Sequence, residues 1–145
     1  MIYLDTSVIA PFYWAEALSD TVEELLRTET ERGLSQLAEV ELFSALSRRV
    51  RMREISQEDA RAIATRFQTH LDSNFYIRIP IESVHYQLAR DWIGRFDTSL
   101  RTLDALHLAS ASSNNIRLVT ADDALARSAE ALGIEVQLLR PNTEN

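Results

Sequence analysis

The spacing of hydrophobic positions in this chain switches repeatedly between the two-residue period of a strand and the 3.6-residue period of a helix. MIYL, at the start, is an unbroken apolar run of strand type. SVIAPFYW directly after it starts a helix, with Pro11 tolerable only in the first turn. In LSDTVEELLRTETER, Val22, Leu25 and Leu26 recur at helical spacing. Gly33 punctuates, LSQL reads as a short second strand, and AEVELFSALSRRVRMRE as a helix with Leu42, Ala45, Leu46 and Val50 along one side. Ser56 and Asp59 of SQED have capping-box spacing, with Asp in place of the commoner Glu or Gln. The helix they open is expected to bury Ala60, Ile63, Ala64, Phe67 and Leu71. FYIRI alternates and is rich in strand formers, so it predicts a strand ending near Pro80. ESVHYQLARDWIGRF sets Val84, Leu88, Trp92 and Phe96 at i+4 steps, a predicted core stripe. DTSLR is a loop, LDALHLASASS a helix ended by Asn114-Asn115, and IRLV a strand. ADDALARSAEALG is a helix stopped by Gly133, and IEVQLL is the last strand.

Strands that alternate with helices predict an α/β fold with a parallel sheet of about five strands, covered on both faces. Residues 1–140 read as a single domain without linkers or repeats, and 141–145 as a polar tail that frays. Ligand sites in such sheets lie beyond the carboxyl ends of the strands.

Composition then removes most chemistries. With 46% hydrophobic and 26% charged residues the chain is an ordinary globular one, and its 145 residues suffice for a core without staples. There is no Cys, hence no disulfide, thiol nucleophile or thiolate zinc site, which fits a reducing, cytoplasmic setting. No basic leader precedes the first apolar run, and the longest stretch free of Asp, Glu and Arg, Ala105–Ile116, is too short and polar to span a membrane. All 15 basic residues are Arg, and without Lys a P-loop, a Schiff-base enzyme and a pyridoxal enzyme are excluded. The three Gly are far apart, so no glycine loop cradles a phosphate, and the three His lack the H-E-x-x-H spacing. A net charge of −7 argues against gripping nucleic acid by bulk attraction, though a local basic strip can sit beside an acidic site.

Carboxylate is what remains. Asp5 directly follows the first strand and Asp122 closely follows the fourth; Glu41 is early in the helix after the second strand, and Asp104 opens the helix before the fourth. Four acids can therefore converge on one edge of the sheet. Two unit charges ~4 Å apart repel by about 4 kcal/mol at an effective dielectric of ~20, so such a cluster needs protons or a cation. A hard divalent ion on oxygen ligands, Mg²⁺ or Mn²⁺, is the natural solution, able to polarise a phosphodiester and activate water. Thr6, Ser7 and Thr120 offer hydroxyls nearby to orient water or phosphate. Each acid also has a plainer reading: Asp5 as a helix N-cap, Glu41 as a solvated helix residue, Asp104 as a favourable charge at a helix N-terminus. In TADDAL, Thr120 and Asp123 have capping-box spacing, which assigns Asp123 to capping and leaves Asp122 for the site.

MIYLDTSVIAPF, LSQLAEVELFSALSRR, LRTLDALHLASA and IRLVTADDALARSAEALGIEV, in this order and spacing, resemble the PIN-domain family, and most of all its VapC-type toxin ribonucleases. The resemblance spans nearly the whole chain. It implies a three-layer α/β/α fold and a Mg²⁺- or Mn²⁺-dependent endoribonuclease that cleaves RNA by attack of metal-activated water. It places the family's acidic positions on Asp5, Glu41, Asp104 and Asp122, as metal-binding and catalytic residues, and its hydroxyl positions on Thr6, Ser7 and Thr120. It further implies an antitoxin protein as partner, and a homodimer.

Arg48, two turns beyond Glu41, and Arg101, just upstream of Asp104, are candidates for contact with RNA phosphates; a solvated helix end near the C-terminal dipole is the plainer reading of SRRVRMRE. His107, one turn from Asp104, reads as a packing or hydrogen-bonding residue. Two other readings stand beside the nuclease. One is a metal-stabilised, non-catalytic protein-binding module. The other is a phosphatase with Asp5 as nucleophile, resembling the D-x-D-x-T opening of haloacid-dehalogenase phosphatases, but with Ser7 where the second Asp should be and without the Lys.

Overall fold

Five strands alternate with seven helices in the computed structural model, which describes residues Met1–Asn142. β1 (Ile2–Leu4) leads into α1 (Thr6–Tyr13) and α2 (Ser19–Thr28); β2 (Arg32–Leu34) into α3 (Gln36–Arg51) and α4 (Gln57–Asp72); β3 (Ile77–Arg78) into α5 (Ser83–Ile93) and α6 (Thr102–Ser113). β4 (Arg117–Thr120), α7 (Asp123–Ala131) and β5 (Val136–Leu138) complete the order. Pro141 and Asn142 are exposed; the rest of the expected tail, 143–145, lies outside the described residues. Among the described residues no helix is long and apolar enough to cross a membrane.

The sheet is wholly parallel, in the order β3-β2-β1-β4-β5. The chain builds outward from β1 in one direction and then crosses to β4 on its other side, so the order reverses between β1 and β4. Such a switch point opens a crevice at the carboxyl ends of the two strands. Alternation along β1 sends Ile2 and Leu4 to one face and Tyr3 to the other. On the first face they join Val8, Val22, Leu42 and Phe67 from α1 to α4, with Trp14 at the margin; on the second, Tyr3 joins Ala89, Leu108 and Leu125 from α5 to α7, with Trp92 at the margin. Two cores on either side of one sheet give the expected three layers.

Several sequence expectations shift. β2 is Arg32–Leu34 and not LSQL, because Ser35 is the N-cap of α3 and its hydroxyl accepts from the Ala38 amide (3.3 Å). Gly33 therefore sits inside a strand, where a Cβ would come within 2.9 Å of both the Ile2 carbonyl and the Ile79 side chain. Pro11 lies in the second turn of α1, and the helix ends two residues later at Tyr13, which limits the damage to its ladder. In α4 only Phe67 is fully buried, since the helix packs at the margin of its layer and Ile63 and Leu71 are half-covered. The α5 stripe holds only in its middle: Leu88 and Trp92 pack against the core, but His85 and Ala89 are the fully buried residues, and Val84 is 55% and Phe96 90% exposed. Steps of four residues advance by about 400°, so an i+4 series drifts about 40° per step and rolls off the buried face. His85 instead folds back on its own helix start, its Nδ1 accepting from the Glu82 amide (2.8 Å).

Candidate active site

The crevice between β1 and β4 is laced shut by hydroxyls. Asp5, 5% exposed, occupies the N-cap position of α1, yet its carboxylate does not cap the helix. Ser7 Oγ donates to its Oδ1 (2.5 Å) and Thr120 Oγ1 to its Oδ2 (2.6 Å). Both hydroxyls accept backbone amides in turn, Ser7 from Ala121 (2.9 Å) and Thr120 from Asp122 (3.0 Å). Burial pushes the Asp5 carboxyl up to about 6, against the pull of these two hydroxyls and of His107, while Asp104 adds to the rise.

Asp122 caps α7: its Oδ1 accepts from the amides of Ala124 (2.8 Å) and Leu125 (3.1 Å). That corrects the expected assignment of capping to Asp123, which lies inside the first turn and pairs with Arg140. The cap position is decided by the extended backbone of Asp122 (φ −90°, ψ 112°), two residues after the Thr120 that the capping-box spacing would make the N-cap. Asp122 Oδ2 makes no hydrogen bond among the described residues.

Asp104 stands in the first turn of α6, which runs back from the carboxyl edge of the sheet. Burial and then the Asp122 charge raise its carboxyl, with Glu41 contributing and His107 and Arg101 opposing. Glu41 is in the second turn of α3; its Oε1 is hydrogen-bonded to His107 Nε2, and His107 Nδ1 faces the Tyr3 hydroxyl at 2.8 Å. Burial holds the Tyr3 phenol well above its usual value. His107 is thus a buried hydrogen-bonding residue, as its sequence position suggests, and it reaches the acid on α3. Tyr3 carries no motif; only the alternation of β1 hints that it faces α6.

Acids from four segments therefore sense one another's charge at one end of the sheet, with His107 bonded to one of them. Asp104, Asp122 and Arg101 line a cleft of about 270 Å³ with Ser99, Leu100 and Ser128. A second cleft, about 300 Å³ between α1 and α4 and lined by Trp14 and Arg66, holds none of the four acids. Thr6 Oγ1 is buried without a partner. Arg48 is exposed in the last turn of α3 and, among the described residues, makes no ion pair.

The donor set tests well against a hard dication: carboxylate oxygens, two of them on groups whose ionisation burial and like charge oppose. As they lie, no three His, Asp or Glu side chains among the described residues stand close enough to enclose one ion. Bare carboxylates repel, and here three of the four lean on a local partner instead: Asp5 on its hydroxyls, Asp122 on the α7 amides, Glu41 on His107.

Residues 2–131 match the family model described as PIN domain. The chain is 35% identical over 138 residues to "Ribonuclease VapC46" of Mycobacterium tuberculosis, covering 93% of this chain and 95% of that protein. Among solved structures it resembles Mycobacterium tuberculosis VapC20, a sarcin-ricin loop cleaving toxin, with a TM-score of 0.70 at 20% identity over 88% of this chain and 95% of that one. It also resembles a chain of a toxin-antitoxin complex from Klebsiella pneumoniae, with a TM-score of 0.65 at 15% identity over 87% and 91% of the two chains.

Proposed function

The chain belongs to the PIN-domain family, and from that premise we propose that it is a divalent-metal-dependent endoribonuclease of VapC type, the toxin of a toxin–antitoxin pair acting in the cytoplasm. The observation that carries the reading is the mutual electrostatic influence of Asp5, Asp104, Asp122 and Glu41, from four separate segments, near the switch point of a parallel sheet. A relative named as a ribonuclease and matched over 93% of this chain supports the same activity.

Asp5, Glu41, Asp104 and Asp122 would hold Mg²⁺ or Mn²⁺, which when bound supplies Lewis acidity to a phosphodiester oxygen and makes water acidic enough to attack. The chain's own parts do the positioning. Ser7 and Thr120 donate to Asp5 and so fix the plane of its carboxylate. The hydroxyls of Ser7 and Thr120 are committed to Asp5, and the chain has neither Cys nor Lys to attack as nucleophile. Water fills that role, and the products are a 5′-phosphate and a 3′-hydroxyl. Arg101, at the lip of the cleft, offers its guanidinium to a phosphate oxygen, and Arg48 extends the basic track along α3. Residues 1–140 act as the single nuclease domain. An antitoxin protein and a second copy of this chain are the partners the family suggests, and the toxin–antitoxin structure among the neighbours supports the first.

The test is cleavage of RNA by the purified, partner-free protein with Mg²⁺ or Mn²⁺. Chelator is expected to abolish turnover, and Asp104→Asn to lower it by roughly 100-fold or more. Full activity in chelator would overturn the reading.

A further inference from the structure

A chain of three side chains runs from the middle of the sheet to the acidic rim: Tyr3 on β1, His107 on α6 and Glu41 on α3. With Glu41 ionised and His107 neutral, the two contacts fix where the protons lie. An ionised carboxylate only accepts, so His107 Nε2 carries the hydrogen shared with Glu41 Oε1. In a neutral imidazole Nδ1 is then an acceptor, and the Tyr3 hydroxyl is the donor that faces it at 2.8 Å. The phenol and the imidazole meet edge-on, ring centres 5.7 Å apart, and His107 is 1% exposed, so neither ring has another partner in water. Glu41 is the one acid of the four on a long, flexible side chain in mid-helix, with no hydroxyl or amide to fix it.

We infer that Tyr3 and His107 are positioning residues for Glu41: they fix its Oε1 and the tautomer that holds it, leaving Oε2 as the oxygen for the dication. This rests on the reading of the rim as a metal-dependent nuclease centre. Outer partners of this kind set ligand orientation, and their loss typically weakens metal binding by about 10–100-fold.

Two substitutions divide the imidazole into its halves. His107→Gln keeps an N–H at the reach of Nε2 and loses the link to Tyr3; His107→Asn keeps a polar atom near the position of Nδ1 and falls short of Glu41. Mn²⁺ affinity of each full-length variant, measured by calorimetry after circular dichroism shows it folded, is expected to fall on the order of tenfold for His107→Asn and less for His107→Gln. Tyr3→Phe is expected to cost a few-fold and to let the Nδ1–H tautomer appear in long-range ¹H–¹⁵N spectra, where the wild type shows only Nε2–H. In a Glu41→Gln background, His107→Asn should have no further effect on Mn²⁺ affinity. Equal affinities for the Asn and Gln variants, tighter binding in either, or a wild-type Nδ1–H tautomer would each overturn the inference while leaving the nuclease reading intact. A wild-type protein that takes up no Mn²⁺ would overturn both. Should the Asn variant not fold, the Tyr3→Phe affinity and the wild-type tautomer decide the matter.

Discussion

Two histidines in this protein are built alike and stand in opposite surroundings. His107 and His70 each turn Nδ1 to a tyrosine hydroxyl, Tyr3 at 2.8 Å and Tyr13 at 2.6 Å. At the rim, the other nitrogen of His107 goes to a carboxylate, and the polar groups around it are acids. In the corner between α1, α4 and β3, His70 stacks on Phe75 with ring centres 4.6 Å apart, and the Tyr13 and Tyr76 hydroxyls share a second hydrogen bond (2.7 Å). The charges there are cationic, with Arg32 4.0 Å from the centre of the Phe75 ring and Arg66 5.2 Å from that of Phe12. Burial, then Arg66 and Arg32, hold His70 below the usual histidine value. The corner is assembled from groups that gain by burial. The rim is assembled from carboxyls whose ionised form burial opposes.

The largest expected break between the two is Phe67→Ala in the corner. Phe67 is fully buried and meets Tyr13 edge-on at 5.3 Å, and truncating such a ring costs about 3–5 kcal/mol. Urea unfolding should record that loss while Mn²⁺ affinity below the transition stays as in the wild type; a large loss of affinity would show that the regions are not separable.

Next is the pH response of Asp5. Its folded value, about 6, lies above the ordinary 3.8, so the folded state holds the proton more tightly. Without metal, stability is therefore lost as pH rises between those two values, by at most about 3 kcal/mol. Asp5→Asn should remove that slope from denaturation curves, and saturating Mn²⁺ should reverse the loss at neutral pH; an unchanged slope in the variant would assign it to other groups.

His70 should give the smallest and opposite signal. With its folded value below 6.5, stability is present above pH 6.5 and lost as pH falls through it. His70→Leu should flatten that part of the curve without touching the Asp5 slope, read as the difference in urea midpoint between pH 5 and pH 7.5.

The fold class was legible because strand and helix periods alternate cleanly; the strand order β3-β2-β1-β4-β5 was not, since alternation does not say which strands pair. The acids were legible by position, since a residue ending a parallel strand has only one edge to occupy. What they do locally was not. Asp5 looks like a helix cap and Asp122 does not, yet Asp122 caps and Asp5 does not, because Ser7 and Thr120 claim Asp5 from two sides of a 113-residue separation. The face of α5 was misread for a similar reason: which stripe is buried depends on the neighbouring α6, with which α5 packs, and not on α5 alone. Tyr3, His107 and Glu41 lie on three elements, and no local pattern records a hydrogen bond among them.

The two tryptophans fall one to each layer, Trp14 at the margin of the α1–α4 core and Trp92 at the margin of the α5–α7 core. Each is therefore a native fluorophore for its own side of the sheet. Replacing one or the other with Phe would leave a single emitter, and the two melting traces, laid over each other, would report whether both halves of the sandwich come apart in one event.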